Sequence, residues 1–434
     1  MIKYFHQLRT HQSFQKYFAN TSWLIIEKIL RMVIGFFVLI AMTRYLGPEK
    51  FGLFSYSQSF VAIFISFATL GLDVILVREL TRHKEKNDTL IGTAVLLKSI
   101  ASIIGIVLIL FINLYIDDKE SVLLTNIIAF TLLFQNFNTL DTYFQAKVIS
   151  KYVVFSRSTT YFISTSIKIG LILFKAPLIF FAYALVFDAF IISIGYIYIY
   201  YLQKRSILEL KYAKVTAIYF LRQGWPLMLV ALSVFIYTRT DQLMINYLLG
   251  NKETGYYAAA IRVSELFYFI PLLITQSIFP KIIELKEKDN TQYFLLLEQL
   301  YKLLTWTAVP IALGLFIFSD SIISILYGTQ YAPASSILSI LSFTIIFNAI
   351  GTITSKVLYA ERYEKKYMYR SLLGVFINII LNFYFISNYG VVGAAIATLM
   401  TLFIILYIYD IFDKDLYKFY YLKVNCFLGF KGIK

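Results

Sequence analysis

The sequence contains very little cysteine, histidine or charge. Its 434 residues include one cysteine, Cys426, and three histidines, His6, His11 and His83. A single thiol excludes a disulfide framework within one chain. No histidine has a partner at metal-ligand spacing, so we expect neither a metal site nor a cofactor. Charged residues make up 15% of the chain and apolar residues 59%, a composition that indicates a protein with the lipid bilayer as its solvent.

Long apolar segments recur along the whole chain, each close to the ~20 residues that cross a bilayer. We therefore predict an all-α integral membrane fold with about twelve transmembrane helices. Lys175 and its neighbours alone divide the fifth predicted span from the sixth. The predicted spans are 20–43, 53–76, 90–112, 122–144, 153–174, 177–201, 217–247, 256–279, 300–318, 334–357, 367–386 and 390–411.

Basic residues concentrate in alternate loops, which is the pattern of the positive-inside rule. The asymmetry predicts an even number of spans with both termini cytoplasmic, and it explains the net charge of +15 without nucleic acid. The external loops hold Arg44, Lys50, Lys119, Lys175 and Lys252. The cytoplasmic set includes Arg78, Arg82, Lys84, Lys86, Lys147, Lys151, Arg157, Lys204, Arg205, Lys211, Lys214, Lys281, Lys286, Lys288, Arg362, Lys365, Lys366, Arg370, Lys414, Lys418 and Lys423.

No loop between the predicted spans is long enough to form a soluble domain, which counts against an enzyme. Membrane glycan polymerases and ligases usually need a sizeable external loop to hold acidic residues and an acceptor. The acidic pair Asp117 and Asp118 lies in a short external loop, where a solvated turn is the simpler interpretation. Function is therefore expected within the membrane part.

The end of the first predicted span resembles the end of the seventh. Residues 46–55 and 249–258 both read Leu-Gly, four residues, Gly, two large apolar residues and a small residue, at a constant offset of 203 (250 − 47). Glycine at these positions suits a tight turn between helices. Halves with an even number of spans insert in the same orientation, so the pattern indicates a parallel pseudo-two-fold repeat. We expect six-helix lobes at 1–210 and 211–412, a cleft between them, and a cytoplasmic tail at 413–434.

These motifs resemble the multidrug/oligosaccharidyl-lipid/polysaccharide (MOP) exporter superfamily, and within it the Wzx-type polysaccharide flippases. The likeness covers nearly the whole chain through its twelve-span pattern. It is strongest in three segments: residues 44–52, residues 70–80 with Leu70-Gly71-Leu72-Asp73 leading to Val77-Arg78-Glu79-Leu80, and Thr240-Asp241-Gln242.

The resemblance implies a two-lobe helical fold in a bacterial inner membrane. It also implies that the protein flips an undecaprenyl-diphosphate-linked oligosaccharide, such as an O-antigen unit, from the cytoplasmic to the outer leaflet. The polysaccharide polymerase machinery is a candidate partner. The repeat and the composition alone indicate only a two-lobed transporter.

Ionisable residues inside the predicted spans are costly and normally face a cavity or a partner. One interpretation is a cationic cleft that accompanies a lipid diphosphate across the membrane, because arginine binds phosphate with bidentate geometry. The candidate substrate-binding residues are Arg31, Arg239, Arg262, Lys28, Lys98 and Lys168. The candidate coupling or ion-pair residues are Glu27, Asp241, Glu265 and Asp188.

The alternative interpretation is local pairing that braces the helices. Glu27 with Arg31 (i, i+4) and Arg262 with Glu265 (i, i+3) have the spacing of pairs within one helix. Asp73 and Asp141 lie near predicted cytoplasmic ends beside Arg78 and Lys147, where snorkelling or pairing is also expected. Related peptidoglycan-precursor flippases carry lumenal arginines on the first and eighth spans, and the resemblance matches these to Arg31 and Arg262.

Two further questions stay open at the level of sequence. Pro271 removes a backbone hydrogen bond within the eighth span, which suits either a hinge or a fixed kink. The rival functions are a multidrug or cation antiporter of the same superfamily and a membrane glycan polymerase or ligase. An antiporter of cationic drugs should have an acid-rich cavity, whereas here the cations inside the spans at least match the acids.

Overall fold

The computed structural model describes residues 12–147 and 149–428, with side chains over 29–83, 85–147, 149 and 152–426. The described part is helical nearly throughout and contains no β-strand. Helices suit this sequence because a backbone in lipid must satisfy its hydrogen bonds internally. Large apolar side chains such as Phe37, Phe155 and Phe376 are exposed, as expected for surfaces in contact with lipid.

Nine helical stretches of the described chain are long and apolar enough to cross a membrane. Two of them, Ile29–Arg82 and Glu364–Phe412, each hold two predicted spans. Ser150–Leu173 has 24 residues but is too polar to be counted with the nine. With it, the described chain holds twelve spanning helices, and the predicted all-α membrane fold is confirmed.

Two compact units make up the described chain. The first consists of residues up to Tyr45 together with Phe60–Ala231, and the second of Leu46–Ser59 together with the residues from Leu232 onward. The division falls within the seventh predicted span rather than at the predicted residue 210. The lobe boundaries 1–210 and 211–412 stay a prediction about the repeat.

In the described chain, nine helices contribute to the first unit, and the first and the last of them extend into the second unit. Four of the nine are shorter than a membrane span. The bounds are α1 Gln12–Ala68, α2 Leu72–Arg82, α3 Asn87–Asn113, α4 Lys119–Ala129, α5 Thr131–Gln135, α6 Asn138–Ala146, α7 Ser150–Leu173, α8 Leu178–Leu202 and α9 Lys214–Leu249.

The second unit continues from α9 with nine further helices. A 3₁₀ turn, Leu266–Tyr268, and a π-helical segment, Ile404–Ile408, lie between successive helices of this series. The bounds are α10 Asn251–Glu265, α11 Phe269–Lys288, α12 Asn290–Ile317, α13 Ser319–Tyr327, α14 Ala334–Leu341, α15 Thr344–Ala360, α16 Glu364–Phe403, α17 Tyr409–Phe412 and α18 Tyr417–Leu428.

The two repeat motifs adopt the same turn. Gly47 has φ 70° and ψ 171°, and Gly250 has φ 100° and ψ −176°. This region of backbone space is almost restricted to glycine, which explains why both turns carry it. The equal conformations at equivalent positions support the predicted internal repeat.

The two motifs also pack against each other within the second unit. A Cβ on Gly52 would meet the backbone of Asn251 and Gly255, and a Cβ on Gly255 would meet the backbone of Pro48. Asn251 is the repeat equivalent of Pro48, and Gly255 is the repeat equivalent of Gly52. The contact is therefore reciprocal, and it leaves room for no side chain at either crossing glycine.

Helix α18 lies in the segment that the sequence assigned to a cytoplasmic tail. Phe419, Leu422 and Cys426 are buried, and Trp306 of α12 donates a hydrogen bond of 3.0 Å from Nε1 to the Cys426 carbonyl. Lys423, expected in water with the other tail lysines, is fully buried and donates to Asp410. An apolar stripe on α18 explains this docking, since a loose tail would leave the stripe in water.

Candidate functional site

The predicted charged residues fall into separate groups in the two units. Lys28 and Glu27 lie outside the residues whose side chains are described, so the Glu27–Arg31 pair stays a prediction. Arg31, Lys98, Lys168 and Asp188 belong to the first unit. Arg239, Asp241, Arg262 and Glu265 belong to the second.

In the second unit, two arginines share one carboxylate. Glu265 Oε2 lies 3.2 Å from Arg262 Nη1, which confirms the pairing expected from the i, i+3 spacing. Glu265 Oε1 lies 3.4 Å from Arg239 Nη1, across from α10 to α9. About a fifth to a quarter of each of these side chains is exposed, at 19%, 27% and 23% for Arg239, Arg262 and Glu265.

This arginine–glutamate cluster has spare hydrogen-bond donors. Arg262 Nε is buried and has no hydrogen-bond partner among the described residues. Arg239 Nη1 is also buried, and its 3.4 Å contact with Glu265 is an ion pair without hydrogen-bond geometry. With both arginines and Glu265 ionised, the cluster carries a net charge of +1. Buried N–H groups without acceptors are costly, so a cluster with excess positive charge and spare donors is suited to an anion.

A second polar cluster surrounds Asp241 of α9, which is 0% exposed. Its carboxylate accepts hydrogen bonds of 2.6 Å from the Tyr257 hydroxyl, the Thr398 hydroxyl and Asn382 Nδ2. Asn378 Nδ2 lies 3.3 Å away. Tyr257 lies on α10, and the other three donors lie on α16, so three helices meet at this carboxylate.

The donors around Asp241 are all uncharged. Among the described residues, no lysine or arginine forms an ion pair with it, although the Arg239 cluster is close enough for electrostatic interaction. A buried ionised carboxylate normally needs a cation or a proton. The Asp241 cluster can therefore hold a carboxylate whose charge changes when a small cation or a proton arrives.

In the first unit, Lys98 is 3% exposed and its ammonium lies 2.5 Å from Asp73. Both side chains line a cavity of about 40 Å³ together with Ser102 and Asn136. Asp141 pairs with Arg157 at 2.6 Å. Asp73 and Asp141 are therefore paired, as expected, but with Lys98 and Arg157 rather than with Arg78 and Lys147, because helix packing brings these cations of α3 and α7 beside them.

Lys168 of α7 lies 2.6 Å from Asp188 of α8 and donates a bond of 2.9 Å to the Ser164 hydroxyl. Arg31 of α1 is half-buried and interacts electrostatically with Tyr161 of α7. Lys98, Lys168 and Asp188 thus take part in ion pairs, which the second interpretation of the sequence anticipated. Arg31 also interacts electrostatically with Tyr196.

Pro271 is buried in the first turn of α11, directly after the 3₁₀ turn Leu266–Tyr268. The N–H that proline lacks costs least in the first turn of a helix. The eighth predicted span is therefore interrupted only by the short 3₁₀ turn between α10 and α11. Such interruptions often mark functional hinges. The hinge role of Pro271 stays a prediction.

Several residues of these clusters were not singled out from the sequence. Asn378 and Asn382 have the i, i+4 spacing that places two amides on one helical face, and this signal was available. Arg157 was assigned to a cytoplasmic loop, although Arg157, Tyr161, Ser164 and Lys168 follow helical spacing. Nothing in the local sequence connects Thr398 with Asp241.

The twelve spanning helices of the described chain, with ionisable groups inside them, have the architecture of a polytopic membrane transporter. The family described as "Polysaccharide biosynthesis protein" has a sequence model that matches residues 17–286, and the model of the MatE family matches residues 226–384. The first match covers more than half of the chain, which therefore belongs to the polysaccharide biosynthesis protein family. The predicted membership of the MOP superfamily is confirmed.

Curated relatives share low similarity, over about a third of the chain in one case and over nearly all of it in another. The chain is 26% identical over 168 residues to the probable low-salt glycan biosynthesis flippase Agl15 of Haloferax volcanii. The aligned region covers 38% of this chain and 36% of that protein. The chain is 23% identical over 407 residues to the capsular polysaccharide biosynthesis protein CapF of Staphylococcus aureus, which covers 92% of this chain and 99% of that protein.

Among solved structures, an inward-facing multidrug resistance MATE family transporter of the MOP superfamily has the same fold. Its TM-score is 0.70 at 14% identity, over 94% of this chain and 98% of that one. At this identity the likeness shows the fold alone.

Proposed function

We propose that this protein flips an oligosaccharide linked to undecaprenyl diphosphate from the cytoplasmic to the outer leaflet of a bacterial cytoplasmic membrane. The observation that carries the proposal is the arginine–glutamate cluster, in which Arg239 and Arg262 share Glu265 and retain spare donors. Relatives named for glycan flipping and capsular polysaccharide synthesis support the substrate class. Their names are those of transporters and biosynthesis proteins, and this chain is likewise a transporter rather than an enzyme.

A diphosphate group suits this cluster for electrostatic reasons. The group is strongly anionic, and its passage through a medium of low dielectric constant is costly without countercharge. Two guanidinium groups offer paired N–H donors in a planar geometry that matches phosphate oxygens. Glu265 holds the two arginines beside each other before the substrate arrives, so less ordering is needed on binding.

The Asp241 cluster supplies a candidate coupling site for this transport. Asp241 is fully buried among neutral donors on three helices. Binding of a proton or a monovalent cation would neutralise it and change the hydrogen bonds that join α9, α10 and α16. Under this proposal the cation gradient biases the helix arrangement and so drives alternating access.

The rival function is a multidrug antiporter, and the match to the MatE family and the shared fold favour it. A site for cationic drugs requires excess negative charge facing the ligand. The arginine–glutamate cluster has excess positive charge, and we therefore rank export of an anionic lipid-linked glycan first.

Substitutions at the arginines test the proposal. Each of Arg239 and Arg262 is replaced by Ala, Lys or Glu in a strain without its own copy, and membrane abundance and surface polysaccharide are measured. We expect protein to accumulate while polysaccharide falls, with Lys retaining some export and Glu none. A matched control is Arg205→Ala, which removes an arginine of the first unit that pairs with Asp88 at 3.1 Å.

The outcomes separate binding from bracing. Normal polysaccharide from both Glu variants would reject the anion site. Loss of protein from the membrane in every variant would show that the pairs only hold the helices together, especially if Glu265→Ala lost as much protein as Arg262→Ala.

A further inference from the structure

Helix α7 of the first unit presents two unlike faces. One face is exposed and mostly apolar, as expected for contact with lipid, and it carries Tyr152, Phe155, Phe162, Ile163 and Ile169. The opposite face is polar and buried or half-buried, at positions that repeat with helical spacing. We call it the polar face of α7, and its residues are Arg157, Tyr161, Ser164, Thr165 and Lys168.

Each cation of the polar face is matched by one carboxylate from a neighbouring helix. Arg157 pairs with Asp141 of α6, and Lys168 pairs with Asp188 of α8, both at 2.6 Å. Arg157 Nε also donates to the Tyr196 hydroxyl at 2.8 Å. These pairs are charge-balanced, unlike the arginine–glutamate cluster of the second unit.

The pairs are not sealed from solvent. Lys168 and Asp188 side chains are 20% and 25% exposed, and Arg157 is 20% exposed. Enclosing an ion pair completely costs desolvation energy, so apolar residues can often replace a fully buried pair without loss of stability. The ammonium of Lys168 and the carboxylate of Asp188 are therefore partly accessible at the surface of α7 and α8.

Arg31 extends this surface from α1. Gly35, one turn further along α1, approaches the Tyr161 hydroxyl so closely that a Cβ would lie 2.5 Å from it. Arg31 interacts electrostatically with both Tyr161 and Tyr196. The approach of α1 therefore places a further cationic group beside the polar face.

We propose that the polar face of α7, with Asp141 and Asp188, binds the hydroxyl-rich oligosaccharide part of the transported molecule. A sugar hydroxyl both donates and accepts, so a balanced cation–carboxylate pair can engage it from both sides. Tyrosine rings supply an apolar surface with a polar tip. The excess positive charge of the arginine–glutamate cluster suits the diphosphate instead. This inference rests on the proposed function, since the oligosaccharide is part of the molecule proposed to be transported.

The test removes one complete pair so that no buried charge is left alone. The variant is Lys168→Met with Asp188→Leu, and the matched control is Lys302→Met with Glu298→Leu, which removes another 2.6 Å pair from α12. Purified proteins in vesicles are offered two polyprenyl diphosphate lipids, one with a single sugar and one with an oligosaccharide. Transport of each lipid is measured beside free labelled oligosaccharide binding.

We expect the α7–α8 variant to lose about tenfold in oligosaccharide-lipid transport and in oligosaccharide binding, since charge-assisted hydrogen bonds are removed. Single-sugar lipid transport should stay within about twofold. The control should change neither. A second variant, Tyr161→Phe with Ser164→Ala, keeps both ion pairs and should shift selectivity in the same direction by a smaller factor.

Equal loss for both lipids, or no loss for either, would overturn the glycan assignment. If the wild-type protein moves neither lipid, the proposed function fails separately. Oligosaccharide binding then still tests the glycan assignment. If the wild type does not bind the oligosaccharide, or if the α7–α8 variant binds it as well as the wild type does, the assignment is overturned. If the α7–α8 variant is not recovered folded, the Tyr161→Phe/Ser164→Ala variant decides by the same criteria.

Discussion

The two crossing glycines should be far less tolerant of substitution than the two turn glycines of the same repeat. A Cβ on Gly52 would lie 2.6 Å from the Gly255 nitrogen, and a Cβ on Gly255 would lie 2.7 Å from the Pro48 carbonyl carbon. The obstacles are backbone atoms, which cannot rotate away. We expect Gly52→Ala and Gly255→Ala each to cost about 3 kcal/mol or more, at the upper end of overpacking effects.

The turn glycines should suffer for a different reason. A Cβ on Gly250 meets nothing within 4 Å, and one on Gly47 meets only Gln330 Oε1 at 3.6 Å. Their positive φ values alone make alanine unfavourable, by about 1–2 kcal/mol. Bulky residues such as leucine at Gly47 or Gly250 should lower the amount of folded protein by a similar strain, without a chemical role for either glycine.

Thermal unfolding of detergent-solubilised protein, with membrane abundance, measures this order. The control is Gly314→Ala in α12, where a Cβ meets nothing within 4 Å and alanine should stabilise the helix by roughly 0.5–1 kcal/mol. The expected ranking of stability is Gly314→Ala, then Gly47→Ala, then Gly52→Ala. If Gly52→Ala proved as stable as Gly314→Ala, the reciprocal packing of the two motifs would be refuted.

The remaining predictions concern a buried lysine, a buried carboxylate and the topology. Burial lowers the pKa of Lys423 to about 8, although the nearby Asp410 carboxylate acts to raise it. Between this pKa and the unfolded pKa of about 10.4, the unfolded chain binds more protons than the folded protein, so stability should rise with pH. Lys423→Met should abolish this rise, measured as the melting temperature against pH. Asp241→Asn should retain folded protein but remove the dependence of transport on the cation or proton gradient, and an unchanged dependence would exclude Asp241 as the coupling group. Reporter fusions after Lys86 should lie inside and after Gly250 outside, and reversal of both would contradict the topology.

The apolar runs predicted the helices well because a bilayer imposes a minimum length and a low polarity on each span. The Arg262–Glu265 pair was also predictable, since i, i+3 neighbours on one helix must meet. The equivalent turns at Gly47 and Gly250 followed from the repeat. These features depend on positions close in sequence or on a pattern repeated along it.

The rest of the candidate site depends on packing between distant helices. Asp241 meets Asn382 and Thr398 across 141 and 157 residues, and Glu265 reaches Arg239 on another helix. Asp141 pairs with Arg157 rather than with Lys147, which is nearer in sequence, because α6 and α7 pack side by side. Helical spacing shows which side chains share a face, but the partner on the neighbouring helix depends on the tertiary fold.

The central claim is that the arginine–glutamate cluster carries the diphosphate of a lipid-linked glycan across the membrane. The direct measurement is transport of a labelled undecaprenyl-diphosphate oligosaccharide by purified protein in vesicles, comparing wild type with an Arg239→Gln/Arg262→Gln variant. We expect rapid translocation by the wild type, competition by a soluble diphosphate analogue, and loss of both in a folded variant. Translocation by the variant at the wild-type rate would contradict it.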